Sequence, residues 1–166
     1  MNGLELFLEK ISDTVDYFSK AFLICIVGIM VAAILLQVFC RYVIGAPLIW
    51  PEELTTFLMA WMSFVGSAVA LKKWEHLGIN LLVDALQGKL QILLKLLTKF
   101  AVTIFVVFFT YQSVFLVIQS LDQVSMAMHI SMIYPRLSLT VGGILMLIHL
   151  FYFLVKDFNL LLGRNS

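Results

Sequence analysis

Charge is the scarcest commodity in this chain of 166 residues. Lys and Arg number 11, Asp and Glu 10, together 13% of the sequence, for a formal net charge of +1. That balance leaves no basic footprint for nucleic acid. Hydrophobic residues make up 62% and the mean hydropathy is +1.03. A water-soluble domain of this length could not cover so much apolar surface, so the chain belongs to the membrane class. Cysteine is nearly absent too. Cys25 and Cys40 are separated by fifteen residues of one apolar run, about 22 Å of helix, so they cannot bridge each other. Without a CxxC pair the chain does not resemble a membrane thiol oxidoreductase, and both cysteines read as small buried apolar side chains. There is no internal repeat, P-loop, metal-ligand cluster or nucleophile motif.

Four uncharged runs are present: Ala21–Cys40, Leu54–Leu71, Phe100–Leu121 and Leu137–Val155. Each approaches the ~20 apolar residues that cross ~30 Å of hydrocarbon. The expected fold is an all-α integral membrane protein, one membrane domain over 1–166 with four transmembrane helices at 21–40, 54–71, 100–121 and 137–155. The first run is too long for a signal peptide, and Glu5, Glu9, Asp13 and Asp16 precede it instead of a basic cluster. It reads as a retained helix. Nine of the eleven basic residues flank the runs on one side, including Lys72, Lys73, Lys89, Lys95 and Lys99 in the second loop, while Arg41 and Arg136 stand alone on the other. The positive-inside rule therefore predicts that both termini are cytoplasmic. In a Gram-negative bacterium the first and third loops would then face the periplasm.

Two segments have the periodicity of amphipathic helices lying at the membrane surface. Over 4–20, Leu4, Leu8, Ile11, Val15 and Phe18 share one face, continued by Phe22, and Glu5, Glu9, Asp13, Asp16 and Lys20 take the other. Within 76–99, Asn80, Asp84, Gln87, Gln91, Lys95 and Thr98 form a polar stripe, with Gly78 and Gly88 as candidate bends. Its broad apolar face fits either the lipid surface or a groove on another subunit.

The stretch "APLIWPEELTTFLMAWMSFVGSAVALKKW" (46–74) defines the second span. Pro51 suits a first helical turn, and Glu52 and Glu53 stand where the helix dipole favours anions. Trp50 and Trp74 lie at opposite interfaces, with Arg41, Lys72 and Lys73 as further lipid-interface anchors. At about 100° per residue, Glu52, Thr56, Ser63, Gly66, Ser67 and Ala70 gather on one side. Small residues there allow another helix to approach closely. Leu54, Leu58, Met62, Val65 and Val69 gather opposite and read as lipid-facing. Trp61 is deep enough to pack on protein and to need a partner for its N–H.

No Asp, Glu, Lys or Arg lies within the four runs. That counts against a proton-coupled exporter, which needs an embedded carboxylate. No run is broken in the way that builds substrate sites in transporters, and Gly142 and Gly143 fit close packing or a kink. His149, with Gln112 as a neutral companion in the third span, is the one ionisable group at depth. His76 and His129 belong to opposite surfaces, so neither can share a haem with it. His149 reads as a hydrogen bonder between helices. A small four-helix redox protein with haem or quinone is the alternative resting on His149 and the aromatic content.

With these motifs in place, Arg41–Leu86 resembles the small permease subunit of TRAP (tripartite ATP-independent periplasmic) transporters, the DctQ-like family. The resemblance rests on Arg41–Tyr42, Trp50-x-Glu52-Glu53-Leu54, Trp61, Gly66, Ala70, the basic Lys72–Lys73, and Glu75-His76-x-Gly78-Ile79 leading to Leu82-Val83-Asp84. The third loop, "SMAMHISMIYPRLSLTVGG", is similar to that family's outer loop. Lys72–Lys73 stands where Arg is frequent, with the charge kept. The resemblance implies an accessory subunit of the bacterial inner membrane, not an enzyme and without a cofactor of its own. A large membrane subunit would carry sodium and an acidic solute, a dicarboxylate or a sialic acid. A periplasmic solute-binding protein would deliver that solute. Interface candidates on this reading are Trp50, Glu52, Glu53, Thr56, Trp61, Ser63, Gly66, Ser67, Ala70, His76 and Asp84.

Overall fold

A computed structural model describes residues 3–77 and 89–161. Four helices account for most of them: α1 (Gly3–Phe39), α2 (Trp50–Leu77), α3 (Lys89–Ile118) and α4 (Ile133–Leu161). Each contains a stretch long and apolar enough to cross a membrane: Leu6–Ile44, Trp50–Lys73, Leu97–Ile118 and Ile133–Phe158. Among the described residues the only strand-like feature is an isolated antiparallel bridge, Val124 to Ser131. The chain is thus an all-helical, multi-pass membrane protein.

Residues 4–20 and 21–40 are one helix. No proline interrupts Gly3–Phe39 and its one internal glycine, Gly28, meets open space, so nothing forces a break at the polar-to-apolar boundary. The helix ends by loosening into a π-helical turn, Cys40–Ile44, closed by Gly45 at φ 74°. A left-handed cap of that kind suits glycine, which has no Cβ to clash. The amide of Ala46 then returns to Cys40 O at 3.1 Å. At the other chain segment expected to lie on the surface, 76–99, residues 78–88 with Gly78, Asp84 and Gly88 lie outside the described residues. From Lys89 onward the segment is already α3, continuous with the third span.

Helix directions follow from named contacts. Asp13 meets Lys72 and Phe22 meets Trp61, so α1 runs antiparallel to α2. Trp61 meets Tyr134 and Phe64 meets Gly142, placing α2 and α4 parallel. Ser113 meets Thr140 at 3.0 Å and Lys99 meets Asp157 at 2.7 Å, so α3 runs antiparallel to α4. α4 is central: it packs on α2 and α3 and touches α1. A third of its apolar window is buried (33%), against 11% for each of the other three. The ends at which α2 and α4 begin lie together and are called the head; the opposite end is the foot.

Inside a bilayer lipid is as apolar as leucine, so helices are held by close packing and hydrogen bonds. The glycine pair of α4 supplies the packing. A Cβ on Gly142 would stand 2.6 Å from Phe64 Cβ and 2.9 Å from that residue's backbone carbonyl group, and one on Gly143 would run into the Thr110 hydroxyl. Adjacent glycines thus let α2 and α3 approach α4 on two sides. Ser113 and Thr140 add a hydrogen bond between α3 and α4, and Arg136 Nη1 donates to Ser120 Oγ, which is fully buried near the head.

The buried seam of α1 is Ser12, Asp16, Ser19, Ile26, Ala33 and Cys40, positions separated by three, four or seven residues. A 3.5-residue repeat keeps one face of a helix on its neighbour. Over 4–20 the two expected faces are mixed: Asp16 turns to the bundle with Ser12 and Ser19 while Asp13 and Lys20 stay exposed, and Leu8 and Val15 are half-buried while Phe18 is 66% exposed. Cys40 is buried as expected, but Cys25 is exposed.

Candidate functional site

On α2 the two sides are opposite in character to what lipid contact alone would dictate. Val65, Ala68 and Val69 are buried inside the chain, at 2%, 0% and 9% exposure. The expectation that Val65 and Val69 face lipid therefore fails, because their side carries α1 and α4. The other side is bare. Glu52, Thr56, Ser63, Ser67 and Ala70 are exposed, Met59 is 54% exposed between them, and a Cβ on Gly66 would meet nothing within 4 Å. Thr56 Oγ1 and Ser67 Oγ spend their donors on Glu52 O (3.0 Å) and Ser63 O (2.7 Å), the carbonyls one turn back. The hydroxyl of Ser63 has no hydrogen-bond partner among the described residues. A helix face this small and flat admits a second backbone closely, and none of the described residues covers it.

At the head of α2, Pro51 is buried in the first turn, and the two glutamates part company. Glu52 points outward with the small-residue face. Glu53 is half-buried, and its Oε2 accepts from the amides of Ala127 and Met128 at 3.0 and 2.7 Å. Those amides form the tip of a small hairpin between α3 and α4. Ser125 N donates to Ile130 O at 2.8 Å and Met132 N to Gln123 O at 2.9 Å, while His129 takes φ 53° to close the turn. A carboxylate on two successive amides is a charge-assisted clamp. Glu53 thereby fastens the hairpin to α2 and leaves Met126, 93% exposed, at the surface. Trp50 is 37% exposed beside this clamp. Deeper in the helix, Trp61 turns inward: its Nε1 donates to Tyr134 O at 3.1 Å and Phe22 lies edge-on at 5.6 Å.

The foot carries a polar cluster. His149 is fully buried and its Nδ1 pairs with Ser12 Oγ at 2.8 Å, joining α4 to α1, while Nε2 has no hydrogen-bond partner among the described residues. Lys72, expected at the lipid interface, is half-buried and bound to Asp13; Lys73 remains exposed, as does Arg41 near the other end. Asp16 holds Lys20 at 2.5 Å. Lys99 forms an ion pair with Asp157 at 2.7 Å and lies 5.2 Å over the Phe153 ring. The side chains of Trp74 and His76 and the whole of Asp84 lie outside the described residues. No trio of His, Cys, Asp or Glu among the described residues is arranged to hold a metal ion. The cluster ties helices together, while the small-residue face of α2 and the tip of the clamped hairpin are left uncovered by the described residues.

Sequence periodicity found the α2 face but not the hairpin clamp. The signal available was the glutamate pair itself: a helix start needs one acidic residue, and the second had work elsewhere. The Ser12–His149 bond was half legible, since His149 had to find a partner but nothing pointed to Ser12.

Residues 30–160 match the family described as tripartite ATP-independent periplasmic transporters, DctQ component. The sialic acid TRAP transporter small permease protein SiaQ of Vibrio cholerae is 28% identical over 169 residues, covering 96% of this chain and 92% of that protein. The C4-dicarboxylate small permease protein DctQ of the same organism is 28% identical over 82 residues, 49% of this chain and 34% of the other. The sialic acid TRAP transporter permease protein SiaT of Haemophilus influenzae is 31% identical over 84 residues, 51% of this chain but 13% of SiaT.

Proposed function

The chain belongs to the DctQ component family of the tripartite ATP-independent periplasmic transporters, and from that membership we propose that it braces a large permease subunit during sodium-driven import of an acidic solute. A DctQ component is a transporter subunit and not an enzyme, which removes the redox reading of His149. On this proposal the large subunit carries sodium and solute. A periplasmic binding protein delivers a sialic acid or a C4-dicarboxylate, the two solute classes named for the relatives. The protein sits in the bacterial inner membrane with both termini in the cytoplasm, as the distribution of its basic residues supports.

The observation that carries the proposal is the bare small-residue face of α2, Thr56 through Ala70, with open space at Gly66. A scaffold subunit needs such a face, and it needs no charge in its core. The match to SiaT supports the same reading, because there a segment like this one is a small part of a much longer permease chain. The two units are then adjacent and present one to one. The head hairpin, on the periplasmic side in this orientation, contributes to the surface that meets the binding protein.

Reconstitution tests it. Proteoliposomes with this chain alone should show no sodium-dependent uptake of sialic acid or succinate. Adding the large subunit and the binding protein should produce uptake. Transport by the isolated chain, or full transport by the large subunit without it, would overturn the proposal.

A further inference from the structure

Gln112 lies within the apolar stretch Leu97–Ile118 of α3, six residues before its end. It is exposed, and its amide has no hydrogen-bond partner among the described residues. Lipid tails offer it none, and leaving two donors and an acceptor against hydrocarbon is costly. The residues around it form a pattern. Ala101, Phe105, Phe108, Gln112, Phe115 and Gln119 follow one another in steps of four and three, and all six are exposed. The side of α3 that packs on α4 is a different one, marked by buried Val106, Ser113 and Ser120. The exposed side of α3 therefore contains a heptad seam on which Gln112 is the polar residue inside the apolar stretch, with Gln119 just past the helix end, an arrangement that fixes register when two helices pair.

We propose that this face pairs with the same face of a second copy, Gln112 against Gln112 about a two-fold axis along the membrane normal. A second copy has the same topology in the same membrane, so its Gln112 lies at the same depth without further adjustment. The amide is both donor and acceptor and so is complementary to itself, as an isologous contact requires. Any other membrane partner would have to present a polar group at matching depth independently. The seam shares no residue with the α2 face, so one chain can hold a large subunit and a second copy at once. The inference does not rest on the proposed function.

Cysteine cross-linking in membranes of cells co-expressing the large subunit tests it, with Cys25 and Cys40 first replaced by alanine. Oxidation should link Phe108→Cys or Phe115→Cys variants into a species of twice the 18.8 kDa chain mass. Val107→Cys, exposed but off the seam, should link far less. Adding Gln112→Leu should weaken the pairing roughly three- to thirtyfold, the range expected for one hydrogen-bonded contact between membrane helices. Adducts with the large subunit in place of the dimer, equal linking at Val107, no linking at all, or a dimer indifferent to Gln112→Leu would each overturn the proposal.

Discussion

Glu52 and Glu53 are adjacent in sequence, yet about 100° of helix rotation sends their side chains to different tasks. Glu53 reaches the amides of Ala127 and Met128, and Glu52 stays outside with the small-residue face. Removing the Glu53 carboxylate should release the hairpin. Glu53→Ala is expected to cost about 1.5–3 kcal/mol locally, the worth of a charge-assisted hydrogen bond. Hydrogen exchange at residues 123–132 should rise at least tenfold, whereas Glu52→Ala should leave it unchanged. Equal protection in both variants would reduce Glu53 to a simple helix-start residue. The glycines make a second contrast. Gly142→Ala drives a methyl into the Phe64 backbone, which cannot rotate away, and should lower stability by about 1–3 kcal/mol. Gly66→Ala fills open space and should leave the thermal midpoint in detergent nearly unmoved.

α1 shows how an element can be legible in type while the facing of its individual residues is not. Its 3.6-residue amphipathic pattern over 4–20 was visible in sequence, but pattern alone does not say which face meets the protein. In water the apolar face would turn inward. Here Ser12, Asp16 and Ser19 turn inward, because in lipid a polar side chain gains most from the few partners that other helices provide. The Ser12–His149 bond is a cross-link from this stretch to α4 that a single substitution can probe. Ser12→Ala should loosen α1 from α4 by about 0.6–2 kcal/mol, read as earlier thermal unfolding with the other helix contacts intact. His149→Leu and His149→Ala both leave the buried Ser12 hydroxyl without this partner, but His149→Leu should be the milder because alanine leaves a cavity as well. A stability unaffected by any of the three would mean that the bond is ornamental.

At the scale of the whole molecule the described residues leave bare, beside the outward side of α1, a face on α2 and a face on α3. Filling the first should disturb assembly without disturbing the fold. Ser63→Leu and Gly66→Leu should each reduce co-purification with the large subunit severalfold, at unchanged helicity and expression. Undiminished co-purification in both would place the subunit contact elsewhere. Topology can be checked on the same molecule with single cysteines. In a Cys25→Ala, Cys40→Ala background, Met126→Cys should react with an impermeant maleimide from outside intact spheroplasts, and Ser166→Cys only after lysis. The reverse pattern would invert the proposed orientation.

Length, hydropathy and the spacing of charges by themselves determined four membrane helices, because a fixed hydrocarbon thickness needs a fixed apolar length whatever the partners. The motif around Arg41–Asp84 also carried the family. What sequence could not decide was which side of each helix turns inward, since lipid and protein interior are equally apolar and burial leaves no hydrophobic signature. Val65 and Val69 were indistinguishable from lipid-facing residues until α1 and α4 were placed against them. Only the tertiary structure brought residue 53 to residues 127 and 128, and residue 12 to residue 149. Such contacts, 74, 75 and 137 positions apart, are set by how helices cross and not by any local pattern.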